Sequence, residues 1–274
     1  MSQIQNFMDW DNPGVALITG ASSGIGASYA RSLSIQGFNL ILVARRRERL
    51  EALVKELEHE SSTQATVLVA DLSNIEDIKS VVEKIKGLND LNVLVNNAGF
   101  GSRGYFENLP IDAINNMMFV HNIAPAYLSR AALPSMIKRN RGVIINVSSM
   151  AAFTVRPQGV MYCATKSFLN KFSEVLQSEL HNTKVKIQAL CPGYTRTEIF
   201  KGEYMKKFNP SLIPDEVWMT ADEVVKLSLR AVQSDEVVFI PGKTNQKFIE
   251  LYTDPVLGKK AREDIINNWK IPRK

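Results

Sequence analysis

The sequence predicts an α/β fold: one doubly wound parallel sheet of about seven strands with helices on both faces. Short apolar runs alternate with helix-period segments along nearly the whole chain. The residues able to do chemistry fall where those runs end, the carboxyl edge at which open parallel sheets bind ligands. No repeat, low-complexity linker or compositional break divides residues 1–274, so a single domain is expected, with an N-terminal arm over 1–13 and a helical extension over 244–274.

Val15-Ala16-Leu17-Ile18 is the first strand. It runs into Thr19-Gly20-Ala21-Ser22-Ser23-Gly24-Ile25-Gly26, and a helix is expected from Ala27 to about Gln36, closed by Gly37. Glycines let a backbone come close to a ligand, and the free N–H groups of a helix start suit a phosphate. The spacing differs from G-x-G-x-x-G, but its position directly after a buried-type strand is the context such a turn requires. The second strand, Asn39 to Ala44, ends in Arg45-Arg46-Arg47. An acid there would bond the ribose hydroxyls of NAD, whereas a guanidinium suits the 2′-phosphate of NADP. Arg45 is assigned to that phosphate and NADP(H) is favoured over NAD(H), while Arg47 and Arg49 open a charged, solvated helix to about Glu60. Thr66 to Leu72 is the third strand. Asp71 at its end has two readings, acceptor for an adenine amino group or N-cap region of a helix from about Asn74 to Lys86.

Val93-Leu94-Val95 leads into Asn96-Asn97-Ala98-Gly99, small and amide residues that permit close backbone approach. A long helix is expected from about Ile111 to Arg139, kinked by Pro125 and Pro134. Asn122 lies just before the first proline, where backbone groups are freed. The strand Gly142 to Val147 ends in Ser148-Ser149, and the helix after it, about Met161 to Leu180, carries Tyr162 and Lys166. Their spacing places them on one helix face. An ammonium beside a phenol favours the phenolate, lowering the tyrosine pKa from about 10 and fitting it for general acid–base work. The strand Val185 to Leu190 ends in Cys191-Pro192-Gly193. The stretch 194–219 interrupts the alternation and reads as a substrate lid; a helix from Ala221 to about Gln233 and a strand from Val237 to Ile240 close the core. Thr244 to Lys274 reads as one or two terminal helices, with Pro255 between.

Composition excludes several classes. Hydrophobic content of 45% and charged content of 22% are those of an ordinary globular protein. A net charge of +5 with scattered basic residues does not indicate a nucleic-acid partner. Cys163 and Cys191 are too far apart for a disulfide framework, and His59, His121 and His181 are too dispersed for a metal site. The first 13 residues lack the pattern of a signal peptide, and no run approaches the roughly 20 apolar residues of a membrane span. A cytoplasmic protein is expected.

Taken together, these residues resemble the short-chain dehydrogenase/reductase family in its compact, one-domain, Rossmann-like branch. The resemblance covers roughly Val15 to Ile240. It rests on Thr19-Gly20 through Gly24-Ile25-Gly26, Asn96 to Gly99, Asn122, Ser148-Ser149, Tyr162-x-x-x-Lys166 and Pro192-Gly193 through Thr197, in the family's order. It implies that Tyr162 is the acid–base, that Ser149 rather than Ser148 bonds the substrate carbonyl, that Lys166 grips the nicotinamide ribose and tunes Tyr162, and that Asn122 holds a water relaying protons from Lys166. It implies a cofactor site formed by Gly20, Ser22, Ser23, Gly24, Ile25 and Gly26, by Arg45, and by Asp71 and Leu72 near the adenine. Asn97, Ala98 and Gly99 are expected at the adenosine ribose, and Pro192, Gly193, Thr195 and Thr197 at the nicotinamide carboxamide. Within the family, Ala44-Arg45-Arg46 and Phe239-Ile240-Pro241-Gly242 look most like the branch holding 17β-hydroxysteroid and long-chain 3-oxoacyl reductases. The expected substrate is a hydrophobic small-molecule carbonyl or alcohol (3-oxoacyl, steroid-like or aliphatic ketone), met by Phe106, Phe153, Met161, Tyr194, Phe200, Tyr204, Met205 and Trp218, several of which also suit plain packing. A homodimer or homotetramer is implied, paired through the Asn122 and Tyr162 helices. A non-catalytic NADP-binding regulator is the alternative; such proteins usually lack the tyrosine or lysine kept here. An epimerase or dehydratase is disfavoured by the glycine spacing and short tail.

Overall fold

The computed structural model describes Met8, residues 10–205 and residues 209–267; parts of the expected arm, lid and C-terminal extension therefore lie outside the described residues. Seven strands form one parallel sheet: β1 (Val15–Thr19), β2 (Asn39–Ala44), β3 (Ala65–Val69), β4 (Leu91–Asn96), β5 (Gly142–Val147), β6 (Val185–Leu190) and, as the last strand of the sheet, β9 (Val238–Phe239). Their order is β3-β2-β1-β4-β5-β6-β9, a single Rossmann-like domain whose order reverses between β1 and β4.

Both faces of the sheet are covered, which is why the strands read as continuous apolar runs. Ala16 and Ile18 of β1 pack toward Leu33 of α1 (Gly24–Ile35), Leu50 of α2 (Arg47–Glu60) and Val225 of α7 (Ala221–Ala231). Leu17 points the other way, toward Ile78 of α3 (Ile75–Lys86) and Leu128 of α5 (Ala124–Lys138). The period of two along each strand divides one apolar run between two cores.

Two expectations are corrected. The long helix is broken: α4 (Ile111–Met118) passes through a π-helical turn over Phe119–Ile123 before α5 begins. Pro125 stands in the first turn of α5 and has no N–H to donate back, so the wider turn takes up the lost bond where Asn122 sits. The third strand ends at Val69, leaving Asp71 in the turn beyond it. The lid is tied at its ends by a small parallel pair, β7 (Thr195–Arg196) with β8 (Met219–Thr220). After α6 (Val160–Glu179) and the strands that follow, α8 (Lys243–Thr253) and α9 (Leu257–Asn267) form the terminal helices, divided at Pro255 as expected. Among the described residues, no helix is long and apolar enough to cross a membrane, and no group of three or more His, Cys, Asp or Glu could hold a metal.

Candidate active site

The ends of β1 and β4 are stapled together. Thr19 Oγ1 accepts from the backbone N–H groups of Asn97 and Ala98, both at 3.0 Å. Asn97 Nδ2 donates to the carbonyls of Thr19 at 2.9 Å and Gly20 at 3.2 Å. Asn97, expected against a ribose, thus spends its amide on holding the glycine-rich turn. The approach is close: a Cβ on Gly20 (φ +65°) would lie 2.8 Å from Ala98 Cα, and one on Gly26 2.4 Å from the Gly20 carbonyl. Gly24 opens α1, with Ser23 before it and Ile25 packed against the core. Ser23 makes no side-chain cap on α1, so the first amides of that helix have no hydroxyl of its own chain to meet.

The guanidinium at this turn is that of Arg46, where Arg45 was expected. Arg46 Nη2 donates to Ser22 Oγ at 2.8 Å and to Ser23 Oγ at 2.9 Å. Arg45 instead lies 3.6 Å from Asp71. The cause is register: Ala44 pairs with Val69, so the residues leaving β2 and β3 emerge side by side. Asp71 Oδ1 also accepts from the amide and hydroxyl of Ser73, at 3.0 and 2.7 Å, while Asn74 caps α3. Burial pushes the Asp71 pKa up, but the Ser73 bonds and Arg45 outweigh it and hold the carboxyl below its ordinary range. Leu72 is buried behind it. Arg49 is not merely solvated, as expected: Arg46 and Arg49 both reach Glu198 at the start of the lid, at 2.9 and 2.7 Å. The bonds from Arg49 and Arg46 push the Glu198 carboxyl down to about 2.

On the other side of the switch point, Ser149 follows β5. Its Oγ accepts from the Ala151 amide at 3.1 Å and lies beside the Tyr162 phenol, whose pKa it draws down. Ser148 faces away and donates to the Lys166 carbonyl at 2.9 Å. Lys166 is buried, donates from Nζ to the Val147 carbonyl at 2.8 Å, and stands 5.8 Å from the centre of the Tyr162 ring. A Cβ on Gly99 would press on His121 Nε2 at 3.1 Å and touch this ammonium at 3.6 Å. Burial disfavours the charged amine and draws the Lys166 pKa down to about 8. Burial pushes the Tyr162 phenol up; the neighbouring Ser149 hydroxyl and the charge of Arg156 pull it back only in part. Arg156 supplies a charge that lowers the phenol, yet the phenol lies above its ordinary value and not below it, as the Tyr162–Lys166 spacing predicts.

The π turn supplies the next layer. Asn122 Nδ2 donates to the Thr165 carbonyl at 3.0 Å, and its Oδ1 is buried with no hydrogen-bond partner, an acceptor that a water would satisfy. His121 is wholly buried. The Phe100 amide donates to its Nε2 at 3.1 Å, which assigns its proton to Nδ1, 3.0 Å from Thr165 Oγ1. Burial and the nearby Lys166 hold its pKa well below the ordinary value, so the ring is neutral. Beneath, a buried polar chain runs from helix to helix along one face of the sheet. Asn96 Nδ2 donates to Ser129 Oγ at 3.2 Å and to Asn146 Oδ1 at 2.8 Å, and Asn146 Nδ2 donates to Ser173 Oγ at 2.9 Å.

The lid leaves β6 over the turn. Met150 N–H donates to the Pro192 carbonyl at 3.0 Å; a Cβ on Gly193 would lie 2.7 Å from Asn245; buried Thr195 donates to the Gly193 carbonyl at 3.1 Å. Thr197 Oγ1 accepts from the Ile199 amide at 3.4 Å. Tyr194, Phe200 and Trp218 pack in one cluster of tilted and edge-on rings, with centroids 5.3 to 6.1 Å apart. Tyr204 packs on Phe100, Met205 lies against Gly101, and Phe106 is exposed and apart from them. A cavity of about 960 Å³ opens between the turn and the lid, lined among others by Ser23, Gly24, Thr197, Phe200 and Trp218. The residues suit a dinucleotide: a cradle that side chains would fill, free helix-start amides and a guanidinium.

Four contributors escaped sequence reading: Arg46, Glu198, Arg156 and His121. Only Arg46 had a local signal, as part of the arginine run.

A doubly wound sheet with a Tyr–Ser–Lys cluster at the carboxyl edge beside a glycine-rich turn defines a nucleotide-binding oxidoreductase. The chain belongs to the short-chain dehydrogenase family, which matches residues 14–207. A short-chain dehydrogenase from Sphingobium yanoikuyae in complex with NADPH superposes with a TM-score of 0.79 at 31% identity, over 95% of this chain and 97% of that one. The NADP-dependent 3-hydroxy acid dehydrogenase of Schizosaccharomyces pombe is 34% identical over 82% of this chain and 88% of its own length. The very-long-chain 3-oxoacyl-CoA reductase-B of Danio rerio is 33% identical over 68% of this chain, which spans only 61% of that relative. An inactive hydroxysteroid dehydrogenase-like protein 1 of Rattus norvegicus is 32% identical over 67% of this chain and 56% of its own length.

Proposed function

We propose that this chain transfers a hydride between NADP(H) and the carbonyl or secondary alcohol of a hydrophobic small molecule. The observation that carries this is the buried Lys166 ammonium 5.8 Å from the Tyr162 ring, with Ser149 beside the phenol at the end of β5. The nicotinamide, when bound, supplies the hydride. Ser149 and Tyr162 are then two preorganised donors for the oxygen on which negative charge develops, and Tyr162 delivers its proton. Lys166 would hold the ribose hydroxyls, and a water on Asn122 Oδ1 would carry the proton onward from Lys166. Pro192, Gly193, Thr195 and Thr197 would hold the carboxamide, and the backbone of Gly20, Ser22, Ser23, Gly24, Ile25 and Gly26 the pyrophosphate. Asp71 and Leu72 would border the adenine, with Asn97, Ala98 and Gly99 flooring its ribose.

Preference for NADP follows from Arg46. Arg46→Ala is expected to raise the Kd for NADPH about 10- to 100-fold, the loss of a charge-assisted bond pair, with NADH little changed. Arg45→Ala should alter neither, since Arg45 serves Asp71. Equal effects on both cofactors, measured by fluorescence titration, would remove the assignment.

For substrate, a 3-oxoacyl or 3-hydroxyacyl compound is favoured, because the yeast and zebrafish relatives are named for such chemistry and the lid is aromatic. The test is cofactor oxidation followed by absorbance across 3-oxoacyl thioesters, 3-oxo acids, ring ketones and aliphatic ketones. Turnover confined to ring ketones would overturn the acyl reading.

Exposed Met118 on α4, Tyr127 on α5, and Val160, Phe168 and Val175 on α6 form apolar surface on the helices beside the π turn and Tyr162. Burying it between copies would make a homodimer or homotetramer. Light scattering is expected to return a multiple of 30.6 kDa; a monomer at micromolar concentration would refute this.

A further inference from the structure

We infer that Glu198 is an internal stand-in for the cofactor's 2′-phosphate, latching the lid across the glycine-rich turn until that phosphate displaces it. The inference rests on the NADP reading of Arg46.

The geometry has two independent parts. First, the Glu198 carboxylate occupies the guanidiniums a phosphate would need. It accepts from Arg46 Nη1 at 2.9 Å and from Arg49 Nη1 at 2.8 and 2.7 Å, while Arg46 Nη2 holds Ser22 and Ser23. Arg46 follows β2, and Glu198 follows β7 just beyond β6, so the ion pairs bridge the crevice from one side of the switch point to the other. Second, the strap itself lies on the turn. A Cβ on Gly24 would stand only 2.9 Å from Thr197 Cγ2, the residue immediately before Glu198. The lid therefore rests over the amides that a pyrophosphate would meet, and the ion pairs pin it there.

The displacement is favourable on charge. A phosphate monoester carries close to two negative charges at neutral pH and three strong acceptor oxygens, against one charge and two oxygens on Glu198. The pairs being displaced are surface ones, with side chains 40 to 48% exposed, and such pairs are weak and screened by salt. A dinucleotide without the 2′-phosphate brings nothing to compete for Arg46 and Arg49, so it leaves the latch closed. Selection for NADP then resides partly in Glu198: the phosphate both binds and opens.

The test uses the full chain with 2′,5′-ADP and 5′-ADP as probes. By calorimetry, Glu198→Gln and Glu198→Ala are each expected to bind 2′,5′-ADP about 3- to 10-fold more tightly than the wild type, with the gain shrinking at high salt. In limited trypsin digestion, cleavage after Lys201 should speed up with 2′,5′-ADP but not 5′-ADP in the wild type, and should be fast without ligand in both variants. Unchanged or weaker binding in the variants, while the wild type still prefers 2′,5′-ADP, overturns the latch and leaves the NADP reading standing. No preference for 2′,5′-ADP in the wild type overturns both.

Discussion

Tyr162→Phe is expected to lose about 10²- to 10⁴-fold in kcat, the span that general acid–base catalysis commonly supplies, while its Kd for NADPH stays within about twofold because no part of the fold depends on the hydroxyl. Ser149 would keep its bond from the Ala151 amide in the variant, so the loss reports the proton and not a displaced serine. The pH profile carries more. Burial pushes the phenol up, against the Ser149 hydroxyl and Arg156, so Tyr162 is protonated through neutral pH. Carbonyl reduction needs that proton and should hold its rate at neutral pH, falling on the alkaline side; alcohol oxidation needs the phenolate and should rise with pH. A Phe variant that keeps a substantial fraction of kcat would end the assignment of Tyr162.

Lys166→Met is the second large effect, and it divides between catalysis and stability. Turnover should fall by about 10²-fold or more, with weaker cofactor binding, since a charged hydrogen bond to the ribose would be lost. Stability without cofactor should move in a specific direction. Unfolded, the amine holds its proton to its ordinary 10.5; folded, only to about 8. Between those values the unfolded chain binds more protons, so the Lys166 contribution to stability rises with pH. Measured by denaturant titration, the balance between wild type and Lys166→Met should shift toward the wild type by about 3 kcal/mol from pH 8 to pH 10.5. Below pH 8 the wild type carries the full cost of a buried ammonium and the difference is flat. A difference independent of pH throughout would show that the amine is not buried as described.

What the sequence could reveal follows from what is local. The inner strands β1, β2 and β4 were legible because both their faces are covered and they read as near-continuous apolar runs, whereas β3, an edge strand with Thr66 and Val69 exposed, was placed too far along the chain. Ser149 could be chosen over Ser148, and the structure does bring Ser149 to Tyr162 while turning Ser148 away. The break before α5 was signalled by Pro125, but not the π turn, because a missing donor does not dictate how the helix closes around it. That Arg46 and not Arg45 turns to Ser22 and Ser23 depends on where β3 ends relative to β2, a pairing no single segment contains. Glu198 and Arg156 belong to the lid and to the loop before α6, far in sequence from the groups they act on. His121 was only one of three dispersed histidines in the sequence; that it is buried, with the Phe100 amide and Thr165 holding its tautomer, is tertiary information.

The polar chain Ser129–Asn96–Asn146–Ser173 has a mechanical meaning. Apolar contact resists separation of a helix from a sheet but resists sliding and rolling weakly, because neighbouring packings differ little in energy. Directional bonds do the opposite: they hold little weight yet tolerate little misalignment. Ser129 lies on α5, which follows directly from the turn bearing Asn122, and Ser173 lies on α6, which bears Tyr162 and Lys166. The chain thus acts as a set of dowels between two sliding parts, setting the height and roll of each helix against β4 and β5. Cores of this kind can be made greasier and no less stable, and still lose the alignment on which a proton transfer depends.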